Sequence, residues 1–115
     1  MTTLYGIKNC DTVKKARTWL DNRNICYQFH DVRGDGLSRE QVQQWTQQLG
    51  WQTLVNKRST TWKQLDQGLR DTMDTDTAID AMTQHPTLIK RPVLEHNQQL
   101  HVGFKADQYQ LLFTD

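Results

Sequence analysis

Cys10 stands where a short apolar run, Leu4-Tyr5-Gly6-Ile7, gives way to a helical pattern opening at Asp11-Thr12-Val13-Lys14-Lys15-Ala16. A thiol at such a strand-to-helix junction faces backbone N–H groups that have no partner inside the helix, and the positive end of the helix dipole. Both favour the thiolate. The chemistry this predicts is nucleophilic attack on oxidised sulfur or a related electrophile. A substrate of that kind carries negative charge, and arginine, with its planar fork of donors, is the residue suited to hold it. Two arginines are placed to do so. Arg58 lies in Asn56-Lys57-Arg58-Ser59-Thr60, a polar break between helices, and Arg91 lies in Lys90-Arg91-Pro92, at the mouth of a strand. Lys8, Lys14 and Lys15 add positive potential near the sulfur.

Other candidate groups are better read as structure. Cys26, in Ile25-Cys26-Tyr27-Gln28-Phe29, reads as a small buried hydrophobe that points inward from a strand and does not resolve a Cys10 intermediate. Two cysteines are too few for a disulfide framework. His30, His85, His96 and His101 do not pair with cysteines at metal-ligand spacing, so no metal site is expected. Trp19, Trp45, Trp51 and Trp62 are read as packing residues rather than as stacking platforms for nucleic acid. Asp66, Asp71, Asp74, Asp76 and Asp80 lack the glycine-centred spacing of a calcium loop and read as helix caps and solvated faces.

The 115 residues fit one domain. A formal charge of +1 gives no global field to recruit nucleic acid or an anionic membrane, so any anion site must be local. No basic segment followed by a long apolar run opens the sequence, and no stretch nears the ~20 apolar residues of a membrane span. The expected location is the cytoplasm, with no membrane partner.

The elements that must position Cys10 follow from periodicity. Thr3 to Ile7 reads as a strand, and Asp11 or Thr12 is expected to cap a helix whose Val13, Ala16 and Leu20 share one face. Ile25 to Val32 reads as a second strand, completing a parallel βαβ unit. After the turn Arg33-Gly34-Asp35-Gly36 the pattern becomes helical. Ser38 with Gln41 resembles a capping box, and short helices are expected at 51–55, 61–65 and 76–82. β character resumes at Thr87-Leu88-Ile89, Pro92 to Glu95 and Leu100 to Phe104. Asn97-Gln98-Gln99 turns a hairpin, and Ala106 to Phe113 closes as a helix with Tyr109, Leu112 and Phe113 inward. The order β-α-β, helical insertion over about 36–86, β-β-α is an α/β, thioredoxin-like fold in a single domain over 1–115. In such a fold a cis X–Pro bond opening the third strand faces the active cysteine, so Arg91–Pro92 is expected to be cis.

Four ordered blocks carry a resemblance over essentially the whole chain: Tyr5 through Ala16 around Cys10, Arg58-Ser59-Thr60-Thr61-Trp62, Leu88 through Val93, and Val102-Gly103-Phe104. Together they resemble the ArsC family, in its Spx/YffB-like branch. That resemblance implies a thioredoxin-like core with a helical insertion, and Cys10 as nucleophile with Arg58 and Arg91 as its catalytic partners. Lys8, Asn9, Thr12, Pro92 and Lys105 fall at the expected substrate- or glutathione-binding positions. The YffB-like members are regarded as glutathione-dependent thiol reductases, which implies a monothiol reductase with glutathione as co-substrate, glutaredoxin as a possible partner and no bound cofactor. Two other activities occur in the family. Arsenate reductases use a further arginine beyond the hairpin, where this chain has Gly103-Phe104-Lys105, and a lysine supplies charge without a fork. Spx-type regulators bind RNA polymerase and usually carry a second cysteine three positions after the first. That position here is Val13, which excludes an intramolecular CxxC switch but leaves a docking role as an alternative, beside arsenate reductase proper.

Overall fold

The computed structural model describes residues 2–114. Contacts divide the chain into two units, one running to Gly34 and resuming at Arg91, the other spanning Asp35–Lys90.

The first unit is built on a four-stranded sheet. β1 (Thr2–Gly6) leads through α1 (Asp11–Asn22) to β2 (Gln28–Asp31), and the chain returns as β3 (Val93–His96), β4 (Gln99–Val102) and α7 (Ala106–Leu112). The strand order is β2-β1-β3-β4, with β1 parallel to β2 and the other pairs antiparallel. One cross-strand row, Phe29, Leu4, Leu94 and His101, runs the width of the sheet on a single face. Leu4 and Leu94 there join Ala16, Trp19 and Leu20 of α1 and Tyr109 of α7 in one hydrophobic cluster, with Phe104, Leu112 and Phe113 packed against it. Each fully buried leucine of that cluster contributes about 2–3 kcal/mol. The helical spacing of Ala16, Trp19 and Leu20 is the reason α1 lies on this face.

Asn97 and Gln98 both take positive φ, 53° and 69°, and make the tight turn between β3 and β4 where a hairpin was expected. The Arg91–Pro92 peptide is cis, also as expected.

The second unit holds α2 (Arg39–Leu49), α3 (Trp51–Leu54), α4 (Thr60–Gln64), α5 (Gln67–Asp71), α6 (Thr75–Gln84) and a 3-10 turn at Pro86–Leu88. α2, α4, α5 and α6 start on polar side chains, whereas α3 starts on Gly50 with no side-chain cap. Ser38 accepts from the Gln41 amide at 3.1 Å, Ser59 from Trp62 at 3.1 Å and Asp66 from Leu69 at 3.3 Å, while Asp74 and Thr77 bond reciprocally. Asp80 pairs with Arg39. Val42, Trp45, Leu54, Ala78, Ile79, Met82 and Leu88 are buried within this unit.

Several boundaries differ from the sequence expectation. Thr87-Leu88-Ile89 is not a strand: Pro86, with a fixed φ and no N–H, opens a 3-10 turn, and Ile89 makes a single bridge to Val55. α5 was not anticipated, because five residues containing Gly68 carry too little periodicity. β2 is half the expected length. Among the described residues no helix is long and apolar enough to cross a membrane.

Candidate active site

All four strands deliver their connections to one end of the sheet. β1 and β2, being parallel, both finish there, and Gly6 stands opposite Asp31 in register. β3 begins there and β4 ends there, with Val93 paired to Tyr5 and to Val102. The loop carrying Cys10, the Arg91–Pro92 peptide and the Gly103–Lys105 segment are therefore brought to the same edge by topology alone. The Gly103 amide donates to the Pro92 carbonyl at 2.8 Å, tying the last two together.

Cys10 is the N-cap residue of α1, half-buried, with extended backbone at φ −90° and ψ 125°. Its amide donates to the Ile7 carbonyl at 3.2 Å, and its carbonyl accepts from Lys14 at 2.9 Å. This corrects one expectation: Asp11 and Thr12 do not cap the helix. The helix starts one residue earlier than a polar cap would place it, so both lie exposed inside its first turn, and no side chain caps the N-terminus. The first amides of α1 thus have no side-chain acceptor from the N-cap, which is the geometry that favours an anion at this spot.

Gly6 lets the helix approach so closely. A Cβ at residue 6 would stand 2.7 Å and 2.9 Å from the two γ-methyls of Val13, closer than carbon atoms pack. Val13 itself is fully buried.

The other expected residues of this unit sit around that edge in different states. Lys8 and Asn9 are exposed in the turn before Cys10, Pro92 is buried, Arg91 is half-buried and Lys105 is exposed as the N-cap of α7. Arg58 belongs to the second unit. There it is exposed, with its amide donating to the Asn56 side chain at 3.0 Å just ahead of α4.

Asp31 was not singled out from the sequence, yet it ends β2 on this edge. Its carboxylate accepts from the Gly34 amide at 3.2 Å and the Arg33 amide at 3.0 Å. The Gly34 hydrogen bond foremost, then that of Arg33 and the charges of Lys8 and Arg33, hold its carboxyl below the ordinary value although partial burial opposes them. The signal was present as an aspartate two residues before Arg33-Gly34, an Asx-turn pattern. Its consequence is that Lys8 does not act in isolation: its field is shared with Asp31.

Cys26 also departs from expectation. It is exposed, in the link before β2, while its neighbours Ile25 and Tyr27 pack against the core. Among the described residues no group of three or more His, Cys, Asp or Glu is placed to hold a metal ion.

This fold and loop arrangement has relatives. The model of the ArsC family matches residues 5–112. The chain belongs to the ArsC family. An uncharacterised protein of Haemophilus influenzae is 48% identical over 114 residues, covering 99% of this chain and 100% of its own length. A solved structure named YffB is 45% identical and superposes with a TM-score of 0.95 over 99% of this chain and 100% of that one. An arsenate reductase from Vibrio cholerae is 25% identical with a TM-score of 0.84 over 97% of both chains. Within the curated relatives, the global transcriptional regulator Spx of Streptococcus mutans is 27% identical over 94% of this chain and 80% of its own. The family model, the curated relatives and the solved structures agree on ArsC-family membership and the thioredoxin-like fold, and among the more distant relatives are an arsenate reductase and a transcriptional regulator.

Proposed function

We propose that this ArsC-family chain is a glutathione-linked monothiol oxidoreductase with Cys10 as its nucleophile. The observation that carries the reading is the placement of Cys10 at the uncapped N-terminus of α1, on the sheet edge that also holds the cis Arg91–Pro92 peptide. In the proposed cycle the Cys10 thiolate attacks the glutathione sulfur of a mixed disulfide R–S–S–G. The R–S⁻ group leaves and takes up a proton, and Cys10 is left as Cys10–S–S–G. A second glutathione, as its thiolate, attacks that bond, frees the Cys10 thiolate and departs as glutathione disulfide. The net change is R–S–S–G plus glutathione to R–SH plus glutathione disulfide, with two electrons delivered to the substrate sulfur.

In this reading Arg91 and Arg58 hold carboxylates or developing negative charge. Lys8, Asn9, Thr12, Pro92 and Lys105 line the approach, and glutaredoxin is one candidate acceptor of the resolving step. Lys105 in place of a third arginine favours sulfur exchange over arsenate reduction, because a tetrahedral oxyanion gains most from forked donors.

The test is mass spectrometry of the Cys26→Ser protein after incubation with glutathione disulfide, beside the same protein carrying Cys10→Ser. A single glutathione adduct on residue 10, reversed by free glutathione, is the expected result. Absence of that adduct, with disulfide turnover unaffected by Cys10→Ser, would sink the proposal. The match to Spx favours a second reading, a docking protein whose partner is RNA polymerase. It predicts stoichiometric capture of the polymerase by the Cys10→Ser protein.

A further inference from the structure

α1 presents a second feature beyond the thiol, built in part from Lys14 and Lys15, the charges read above as adding positive potential near the sulfur. An open depression of about 420 Å³ lies along one flank of α1, where its exposed side meets the core-facing Trp19, beside the start of α7. The ridge Lys15, Trp19, Arg23 runs along it at intervals of four residues, Lys14 stands beside its N-terminal end, and Phe104 and Ala106 form the opposite wall. No acidic residue lines it among the described residues, and none of those residues forms an ion pair with Lys14, Lys15 or Arg23. Three cations gathered on one wall contrast with a chain whose net charge is +1. The Arg23 guanidinium is stacked at 4.0 Å over the ring of Trp19, which is itself held edge-on by Tyr109 at 5.6 Å. Stacking fixes the plane of the guanidinium and leaves its forked edge free for a carboxylate.

We propose that this depression is a docking surface for an acidic peptide segment of a partner protein. Residues 15 and 23 are about 12 Å apart along the helix, which an extended peptide spans in about four residues. Two carboxylates at that separation meet the lysine pair at one end and Arg23 at the other, and an apolar side chain between them packs on Phe104 and Ala106. A nucleic acid fits less well, since its evenly spaced phosphates require a longer cationic track and leave the apolar wall unused. The inference is independent of the redox reading: it asks nothing of the Cys10 sulfur, although Lys14, one turn on, places a docked segment beside that loop.

The experiment is fluorescence anisotropy at low salt with a labelled Glu-Asp-Phe-Gly-Asp-Glu peptide. Its Lys-for-acid counterpart and a labelled single-stranded DNA 12-mer serve as controls, and amide NMR shifts map the contact. Expected are saturable binding of the acidic peptide that weakens with salt and shifts centred on Lys15, Arg23 and Phe104. An affinity loss of about tenfold or more is expected in Lys15→Glu/Arg23→Glu with the fold intact by NMR. Cys10→Ser should bind as the wild type does, so failure here and failure of the oxidoreductase reading are separable. Equal binding of the basic peptide, shifts centred elsewhere, no binding at millimolar peptide, or DNA that binds more tightly and displaces the peptide would each overturn the proposal.

Discussion

Cys10 and Cys26 reverse what exposure alone would rank. Cys26 is open to solvent and Cys10 half-buried, yet only Cys10 sits at a helix N-terminus. In a competition with limiting iodoacetamide, peptide mapping should find Cys10 alkylated faster than Cys26 by about tenfold. Faster labelling of Cys26 would remove the helix terminus as an activating feature. Cys10 was legible because the change from apolar run to helical period is written directly in its flanks. Cys26 was not, because its direction depends on how the helix ends. The Ile25 amide bonds back to the Leu20 carbonyl at 3.1 Å through Asn24 at φ 56°, a left-handed closure that sends Ile25 and Tyr27 inward and residue 26 out.

At the scale of elements, the position of Cys10 depends on how closely α1 can lie on β1. Gly6→Ala places a methyl against Val13 and should cost about 1–3 kcal/mol in urea unfolding. Val13→Ala in the same protein should restore part of that loss, a coupling that a double-mutant cycle measures. Additive losses would mean that the two residues do not compete for the same space. The hairpin offers the opposite sign. Gln98 takes φ 69°, a left-handed conformation that costs a side-chain-bearing residue about 1 kcal/mol, so Gln98→Gly should raise the unfolding midpoint by a comparable free energy. The strand-helix-strand opening, the hairpin and α7 were readable because each is periodic and bounded by turn residues. Thr87-Leu88-Ile89 departs from its sequence expectation because three apolar-leaning residues after a proline carry the same composition whether they bridge once or form a strand. Arg58 stood out as a guanidinium in a polar break between helices, but its catalytic role rests on resemblance, since nothing in its local sequence distinguishes a binding arginine from a solvated one.

For the molecule as a whole, the same sheet geometry that gathers the site also fixes how stability responds to acid. His101 lies in the row with Leu94 and Leu4, on the face that α1 and α7 cover, and burial, then the nearby His96, lowers its affinity for a proton in the folded state. A histidine depressed on folding binds more protons when unfolded. Its contribution is therefore intact above the unfolded value of about 6.5 and declines as pH falls through it. Asp31 and Asp74 are held below their ordinary value mainly by hydrogen bonds from Gly34 and Thr77 respectively, and their contribution is lost in a separate, lower window, as pH drops below about 3.8. Thermal unfolding followed by circular dichroism from pH 8 to pH 2.5 should accordingly show a first decline beginning near 6.5 and a second in the carboxylate range. His101→Leu should flatten the first and leave the second. A wild-type midpoint constant between pH 7 and pH 5, or a first decline that survives in His101→Leu, would place the acid sensitivity on a group other than the half-buried histidine of that row.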